Sequence, residues 1–208
     1  SALRGVLRAL QANITCSALL ETLDLSDNRL ASSGADELNK WLGALHAHHS
    51  SSGTQHRLRV LLLARTAVPL GSLTFLSRCG ALRVLDVSGA AVGDRCDELF
   101  ACCRRLATLR ARGCQFVPPF ALQRLVYELG AELPRVEAGV CLDLCGSHAA
   151  LKTVAETPVR PLAEVLLRRG ASFLRELRLE GRPRLAAGDF AYLADALVAQ
   201  PRLRTLAI

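Results

Sequence analysis

The chain contains no methionine, one tryptophan and two tyrosines, and aromatic residues make up only 4% of it. A core built that way must be filled by number rather than by size, which suits thin repeated layers better than one large interior. The scarcity also argues against a single-stranded nucleic-acid platform, because bases need aromatic side chains to stack on. Lysine is nearly missing as well: all but Lys40 and Lys152 of the 26 basic residues are arginine. Long apolar runs are absent, stretches such as Val60 to Ala64 falling far short of the ~20 residues that span a bilayer. No signal peptide is visible at the start. A chain that opens on serine and lacks methionine reads as a segment cut from a longer protein.

What is present points to one well-filled domain. Half of the 208 residues are hydrophobic, enough to bury a core without disulfide staples. The cysteines at 16, 79, 96, 102, 103, 114, 141 and 145 are irregularly spaced, and several fall on inward repeat positions, where cysteine acts as a small hydrophobe. They read as reduced thiols of an intracellular protein. The net charge of +7 could attract nucleic acid or acidic protein surfaces and selects neither.

The organising feature is a repeat. Residues 20–30, LETLDLSDNRL, fit the frame Leu-x-x-Leu-x-Leu-x-x-(Asn/Cys)-x-Leu, which encodes a short strand and a turn. Leu20, Leu23 and Leu25 point inward, Asn28 turns the chain and Leu30 closes the layer. The frame returns from Leu58, Leu82, Leu106, Gly139, Leu174 and Leu203. Cys114 takes the asparagine position in the fourth unit. Thr66, Ala90, Ser147 and Arg182 depart from it, which predicts looser turns there than in the first unit.

Stretches of helical spacing separate the strands, such as Ala35, Leu38, Leu42 and Leu45, or Leu122, Leu125, Leu129 and Leu133. A further helix starts at Asp189 and stops before Pro201, and another is bracketed by Pro161 and Gly170. Residues 1–19 read as the helix of a preceding unit, with Leu3, Val6, Leu7 and Leu10 on one face. The polar segment 46–57, HAHHSSSGTQHR, lacks periodicity and is expected to be a flexible loop. The expected fold is therefore a single α/β leucine-rich-repeat solenoid over 1–208, with a curved parallel sheet on the concave side, helices on the convex side and repeats of irregular length. Neither end resembles a polar cap, so further protein or a partner is expected to cover at least the first.

Strand alternation then fixes the concave face. It carries Thr22, Asp24 and Ser26; Val60, Leu62 and Ala64; Val84, Asp86 and Ser88; Thr108, Arg110 and Arg112; Cys141, Asp143 and Cys145; Glu176, Arg178 and Glu180; then Thr205 and Ala207. Val60, Leu62 and Ala64, with Val84 alongside, form an apolar patch that either docks a partner or is covered by the chain's own 46–57 segment. Across the sheet the sign alternates, from Asp24 and Asp86 through Arg110 and Arg112 to Asp143, Glu176, Arg178 and Glu180. A mixed field suits a patterned protein partner better than a nucleic acid, which calls for one positive stripe. The candidate partner-binding residues are thus Val60, Leu62, Ala64, Val84, Asp86, Arg110, Arg112, Asp143, Glu176, Arg178 and Glu180. Arg104, Arg105, Arg168 and Arg169, on helices, read as a solvated outer face.

Catalytic and metal chemistry find little to work with. His46, His48, His49 and His56 cluster, but their spacing matches no closed zinc site and no paired cysteine motif accompanies them. Cys141 and Cys145 lie ~13 Å apart along a strand, too far to share an ion. No nucleophile elbow, phosphate-cradling loop or H-E-x-x-H pair occurs. No enzyme activity and no cofactor are expected.

The segment QANITCSALLETLDLSDNRL, residues 11–30, resembles the ribonuclease-inhibitor-like class of intracellular leucine-rich repeats, in which a true helix follows each strand. A narrower resemblance is to the C-terminal repeats of the Tonsoku-like family. It rests on LETLDLSDNRL, the long Ser/His insertion, CGALRVLDVSGAAVGDRCDELFAC and LRELRLEGRPRLAAGDFAYLADAL. That resemblance implies a nuclear scaffold for replication-fork repair by homologous recombination, docking the methyl-methanesulfonate-sensitivity-twenty-two-like protein. The family's histone-reading ankyrin repeats have no counterpart in this chain, and the family offers no catalytic residues to carry over. An immune or ribonuclease-inhibitor-type sensor, which should keep a steadier unit length, and an actin-regulating scaffold share the fold class. Direct nucleic-acid binding is the remaining alternative.

Overall fold

The leucines of each frame are inward-facing anchors, and their register shows how the layers stack. In the computed structural model Leu23, Leu61, Leu85, Leu109, Leu142, Leu177 and Leu206 stand opposite one another on successive strands. The structure describes residues 2–53, 57–93, 95–117, 120–133, 139–150, 155–156, 159–169, 173–181 and 187–208. His56, Gly170 and Arg182, singled out above, lie outside them.

The chain opens with α1 (Ala2–Ala12) and α2 (Ile14–Ser17), then β1 (Thr22–Asp24) and α3 (Ala31–Ser52). Next come β2 (Val60–Leu62), two 3-10 turns at Leu70–Ser72 and Leu76–Arg78, β3 (Val84–Asp86), β4 (Ala91–Gly93) and α4 (Asp97–Cys103). They lead to β5 (Thr108–Arg110), β6 (Gln115–Val117), α5 (Phe120–Glu128), β7 (Val140–Asp143), β8 (His148–Ala150) and β9 (Ala155–Glu156). The last elements are α6 (Val159–Arg169), β10 (Leu174–Arg178), α7 (Ala187–Val198) and β11 (Thr205–Ala207).

Seven strands form one parallel sheet in the order β1-β2-β3-β5-β7-β10-β11. Their leucine faces and the apolar faces of the helices share one continuous core, including Leu38, Leu61, Leu85, Leu109, Leu125 and Leu166. This is the α/β architecture of a leucine-rich-repeat solenoid, with helices behind the sheet and the other sheet face open. Leu206, on β11 at the edge of the sheet, is 43% exposed.

Three local features differ from the sequence expectation. Residues 46–52 are not a loop but the last turns of α3, which runs to Ser52 and ends at Gly53 with φ 66°. The reason is that the buried stripe of Ala35, Leu38, Trp41, Leu42 and Leu45 continues to His49, 8% exposed, so histidine extends the apolar face. The left-handed glycine then stops the helix. In place of one helix over 1–19, Ala2–Ala12 and Ile14–Ser17 are two helices, broken at Asn13, whose φ of −110° and ψ of 53° leave the helical region. Finally, β4, β6 and β8 pair in parallel and β8 and β9 antiparallel, making a second small sheet just after the turns. Val92 and Phe116 are its buried anchors.

The short second and third units also explain their helical content. The chain between β2 and β3 makes only 3-10 turns, held inward by Leu70, Leu73 and Leu76. A tight 3-10 turn carries a buried leucine across a short connection that cannot accommodate several α-turns.

Candidate functional site

The open face of the sheet is built in rows, because parallel strands in register place equivalent residues side by side. The first row is Thr22, Val60, Val84, Thr108, Cys141, Glu176 and Thr205. The second is Asp24, Leu62, Asp86, Arg110, Asp143, Arg178 and Ala207. Acidic residues and arginines thus alternate along the second row from β3 to β10.

The aspartates of that row share a local role. Asp24, Asp86 and Asp143 each use Oδ1 to accept the backbone N–H two residues on, from Ser26 at 2.9 Å, Ser88 at 2.9 Å and Cys145 at 3.1 Å. An aspartate at the end of a strand that bonds the chain two residues on starts the turn away from the sheet.

A hollow of about 770 Å³ spans the middle of this face. Of the candidate residues, Ala64, Asp86, Arg110, Arg112, Asp143, Glu176 and Arg178 line it, whereas Val60, Leu62, Val84 and Glu180 lie outside its lining. Ala64 corrects the proposed apolar patch: at 6% exposure it is buried, its methyl too short to rise above its neighbours. Val60, Leu62 and Val84 are half-buried and remain the apolar part of the face. The histidine segment that might have covered them is helical through residue 52 and belongs to α3, on the core side of the sheet.

Much of the charge is paired within the face. Arg112 Nε donates to Asp143 Oδ2 at 2.6 Å, and Arg178 donates to Glu176. Arg110 is exposed and makes no ion pair with a described residue. Burial pushes the Asp143 carboxyl up, but bonds from Cys145 and Arg112 outweigh it and hold the group below the usual carboxylate range. The sign of the resulting pH dependence follows. A carboxyl whose pKa is lowered on folding contributes stability above its unfolded value, about 3.9, and loses it as pH falls through the folded value. Asp143→Asn is therefore expected to be less stable than wild type at neutral pH by about 1 to 3 kcal/mol. The gap should close on acidification below about pH 4, which urea denaturation midpoints at stepped pH would measure.

The sequence did not single out Arg65, Gly89 and Gly113, which also line the hollow. They belong to a column of left-handed residues at the end of each strand: Asp27 and Arg65 with φ 60° and 55°, then Gly89, Gly113, Gly146 and Gly181. The signal was present as a glycine at the same offset in four consecutive frames. Asp27 and Arg65 occupy the column without glycine and hold each other bidentately, at 2.5 and 2.6 Å.

The turns themselves reverse another expectation. Asn28 is exposed, while Thr66, Cys114 and Ser147 at the same position are buried. Thr66 Oγ1 donates to Leu63 O at 2.8 Å, Cys114 Sγ reaches Val87 O at 3.2 Å, and Ser147 Oγ donates to Ala111 O and accepts Cys114 N–H. Thr66 thus bonds the carbonyl equivalent to the one Asn28 reaches at Leu25, while Cys114 and Ser147 bond that carbonyl of the preceding unit, so the turns at Thr66 and Ser147 are tied by side-chain bonds as the first is.

Outside the open face, Arg104 and Arg105 pair with Glu128 and Glu132. His46 Nε2 lies 3.4 Å from Arg78 Nη1 on the helix side. Among the described residues no group of three His, Cys, Asp or Glu side chains could hold a metal ion. Cys79 and Cys114 are buried free thiols whose burial pushes them up to about 12 and about 11, away from nucleophilic thiolate. No helix among the described residues is long and apolar enough to cross a membrane.

The rows, the inward leucine ladder and the helices behind it define a leucine-rich-repeat solenoid. No family model and no curated protein matches the chain. Among solved structures it is similar to the tropomodulin C-terminal domain of Caenorhabditis elegans, with 11% identity, 96% of this chain and 93% of that chain covered, and a TM-score of 0.46.

Proposed function

We propose that this chain is a protein-docking scaffold that holds its partner on the open face of the sheet. The observation that carries this reading is the alternation of sign along the second row, Asp86, Arg110, Asp143 and Arg178, beside the apolar group of Val60, Leu62 and Val84. Such a surface selects a partner by pattern, since like charges placed opposite it repel. A polyphosphate would meet the carboxylates of Asp24 and Asp86 there. The finer reading follows the resemblance to the Tonsoku-like family: a nuclear module for replication-fork repair by homologous recombination, docking the methyl-methanesulfonate-sensitivity-twenty-two-like protein.

Leu62→Arg tests both levels. Leu62 lies between Asp24 and Asp86 in the row, so the new guanidinium finds carboxylates on both sides and the fold survives. Co-purification of the named partner with wild-type chain, and its weakening by about tenfold or more in Leu62→Arg with unchanged thermal unfolding, is the expected outcome. Binding of the partner at full strength by the variant removes the open face as the dock. No binding by either chain removes the fork-repair reading.

A further inference from the structure

Most of the charge in the hollow is cancelled within the chain, and what is left over has an order. Arg65 holds Asp27, Arg112 holds Asp143 and Arg178 holds Glu176. Two charged residues of the lining, Asp86 on β3 and Arg110 on β5, form no ion pair with a described residue. They are register partners in the second row, yet they do not bond each other: Asp86 accepts the N–H of Ser88, and Arg110 is exposed. Arg65 is near enough to feel the Asp86 charge, but its guanidinium is engaged bidentately on Asp27. Leu62 precedes Asp86 in the row, and Asp24 precedes Leu62. Asp24 is exposed and likewise forms no ion pair with a described residue. From β1 to β5 the row therefore reads negative, apolar, negative, positive.

Strands lie about 4.8 Å apart, which sets the step of this row. A helix laid along the row brings a side chain back to the same face every three or four residues, a step of about 4.5 to 6 Å. An extended segment laid the same way returns a side chain every second residue, about 6.7 Å on, and slips by more than a row in three steps. Laid along a strand instead, it meets only one member of the row. We propose that the row from β1 to β5 docks an amphipathic helix of a partner protein, laid across the strands, whose contact stripe is basic, apolar, basic and acidic in that order. Basic side chains meet Asp24 and Asp86, the apolar one lies on Leu62 with half-buried Val60 and Val84 beside it, and a carboxylate meets Arg110. Charge complementarity selects this occupant position by position, so the carboxylates and the guanidinium both count toward it. A uniformly acidic segment is repelled by Asp24 and Asp86, a uniformly basic one by Arg110, and a nucleic acid by the same carboxylates. The inference rests on the docking reading above and gives its partner a shape and a charge order.

The test uses fluorescence anisotropy with labelled synthetic helical peptides, stapled through side chains and made in both chain directions. One carries Lys, Leu, Lys and Glu at alternating three- and four-residue spacing; a second, of identical composition, carries Lys, Leu, Glu and Lys at the same positions. The ordered peptide should bind the full chain about tenfold more tightly than the reordered one. Arg110→Glu should weaken the ordered peptide by about tenfold or more, and exchanging the peptide's Glu for Lys should restore binding to that variant. Should Arg110→Glu misfold by circular dichroism, Arg110→Gln should still weaken the ordered peptide severalfold. Asp86→Asn, which keeps an acceptor for the Ser88 N–H, should do the same, while Arg168→Glu, on the exposed helix side, should change nothing. No binding of the ordered peptide, equal binding of the two orders, undiminished affinity in Arg110→Gln and Asp86→Asn, or tighter binding of an oligothymidine that Arg110→Gln abolishes would each overturn the proposal. Loss of the named partner in Leu62→Arg alongside full retention in Arg110→Gln and Asp86→Asn would sink this inference and leave the docking reading standing.

Discussion

Trp41→Ala is expected to remove about 3 to 5 kcal/mol of stability, and to remove it from one end of the molecule. The only tryptophan of the chain is fully buried on α3, and its Nε1 donates to Ser17 Oγ at 3.2 Å. That hydroxyl in turn reaches the carbonyls of Leu10 and Ile14 at 2.9 and 3.2 Å, so one side chain ties α1 and α2 to α3. A solenoid layer touches only its neighbours, so the void loosens the layers beside it and leaves distant ones intact. Hydrogen exchange should show α1, α2 and β1 losing protection in the variant while β7 and β10 keep theirs. Trp41→Phe, which fills most of the volume but drops the bond, should cost only about 1 kcal/mol. Uniform loss of protection along the whole arc would show instead that the solenoid folds as one cooperative block.

The strands were legible because the leucine frame is a geometric code: two inward anchors separated by one outward residue leave no other conformation with a continuous core. The same code put Asp24, Asp86, Arg110, Asp143 and Arg178 on the open face, and the register of the strands aligns them in one row. Burial on the open face was not legible, because it depends on pairing and packing across strands. Asp143 is 8% exposed since Arg112 and Cys145 enclose it, and Ala64 is buried since its neighbours are longer. The helical end of α3 was missed because histidine and serine look like loop residues until one sees that position 49 continues a stripe set by residues 35, 38, 42 and 45. The second sheet was missed for a related reason: strands as short as Ala91–Gly93 and Gln115–Val117 carry a single inward anchor each, too few for a period.

Arg59 and Arg83, at the lip of the sheet just before β2 and β3, show how the frame can hide a feature it dictates. Strict alternation would send Arg59 and Arg83 toward the core, where an unpaired guanidinium is prohibitive. Paired donation at these two strand starts, Arg59 and Val60 N–H to Glu21 O and Arg83 and Val84 N–H to Arg59 O, resolves the conflict by putting both residues between the leucines outside. The exposed lip therefore follows from the frame's spacing of two residues between its first pair of leucines, and it carries Glu21 beside Arg59 and Arg83.

Glycines at equivalent φ can differ sharply in what they tolerate, and Gly130→Ala is expected to be among the costliest single changes in the chain. Gly130 follows α5 with φ 66°, and its N–H donates to Cys103 O at 2.8 Å, closing the approach to β7. A Cβ there would stand 2.5 Å from Val140 Cγ2 and 3.5 Å from Leu133 Cδ1. Val140 is 1% exposed and has no room to retreat. Left-handed backbone and overpacking together cost about 2 to 5 kcal/mol. Gly113→Ala isolates the backbone part: at φ 59° its Cβ would meet nothing within 4 Å, so about 1 to 2 kcal/mol is expected. Asp27 and Arg65, already non-glycine in the same column, show that this smaller strain is tolerated. Adding Val140→Ala to Gly130→Ala should recover part of the loss, giving a non-additive double-mutant cycle in urea denaturation. Additive effects, or equal losses for Gly130→Ala and Gly113→Ala, would mean that the contact with Val140 does not set the cost.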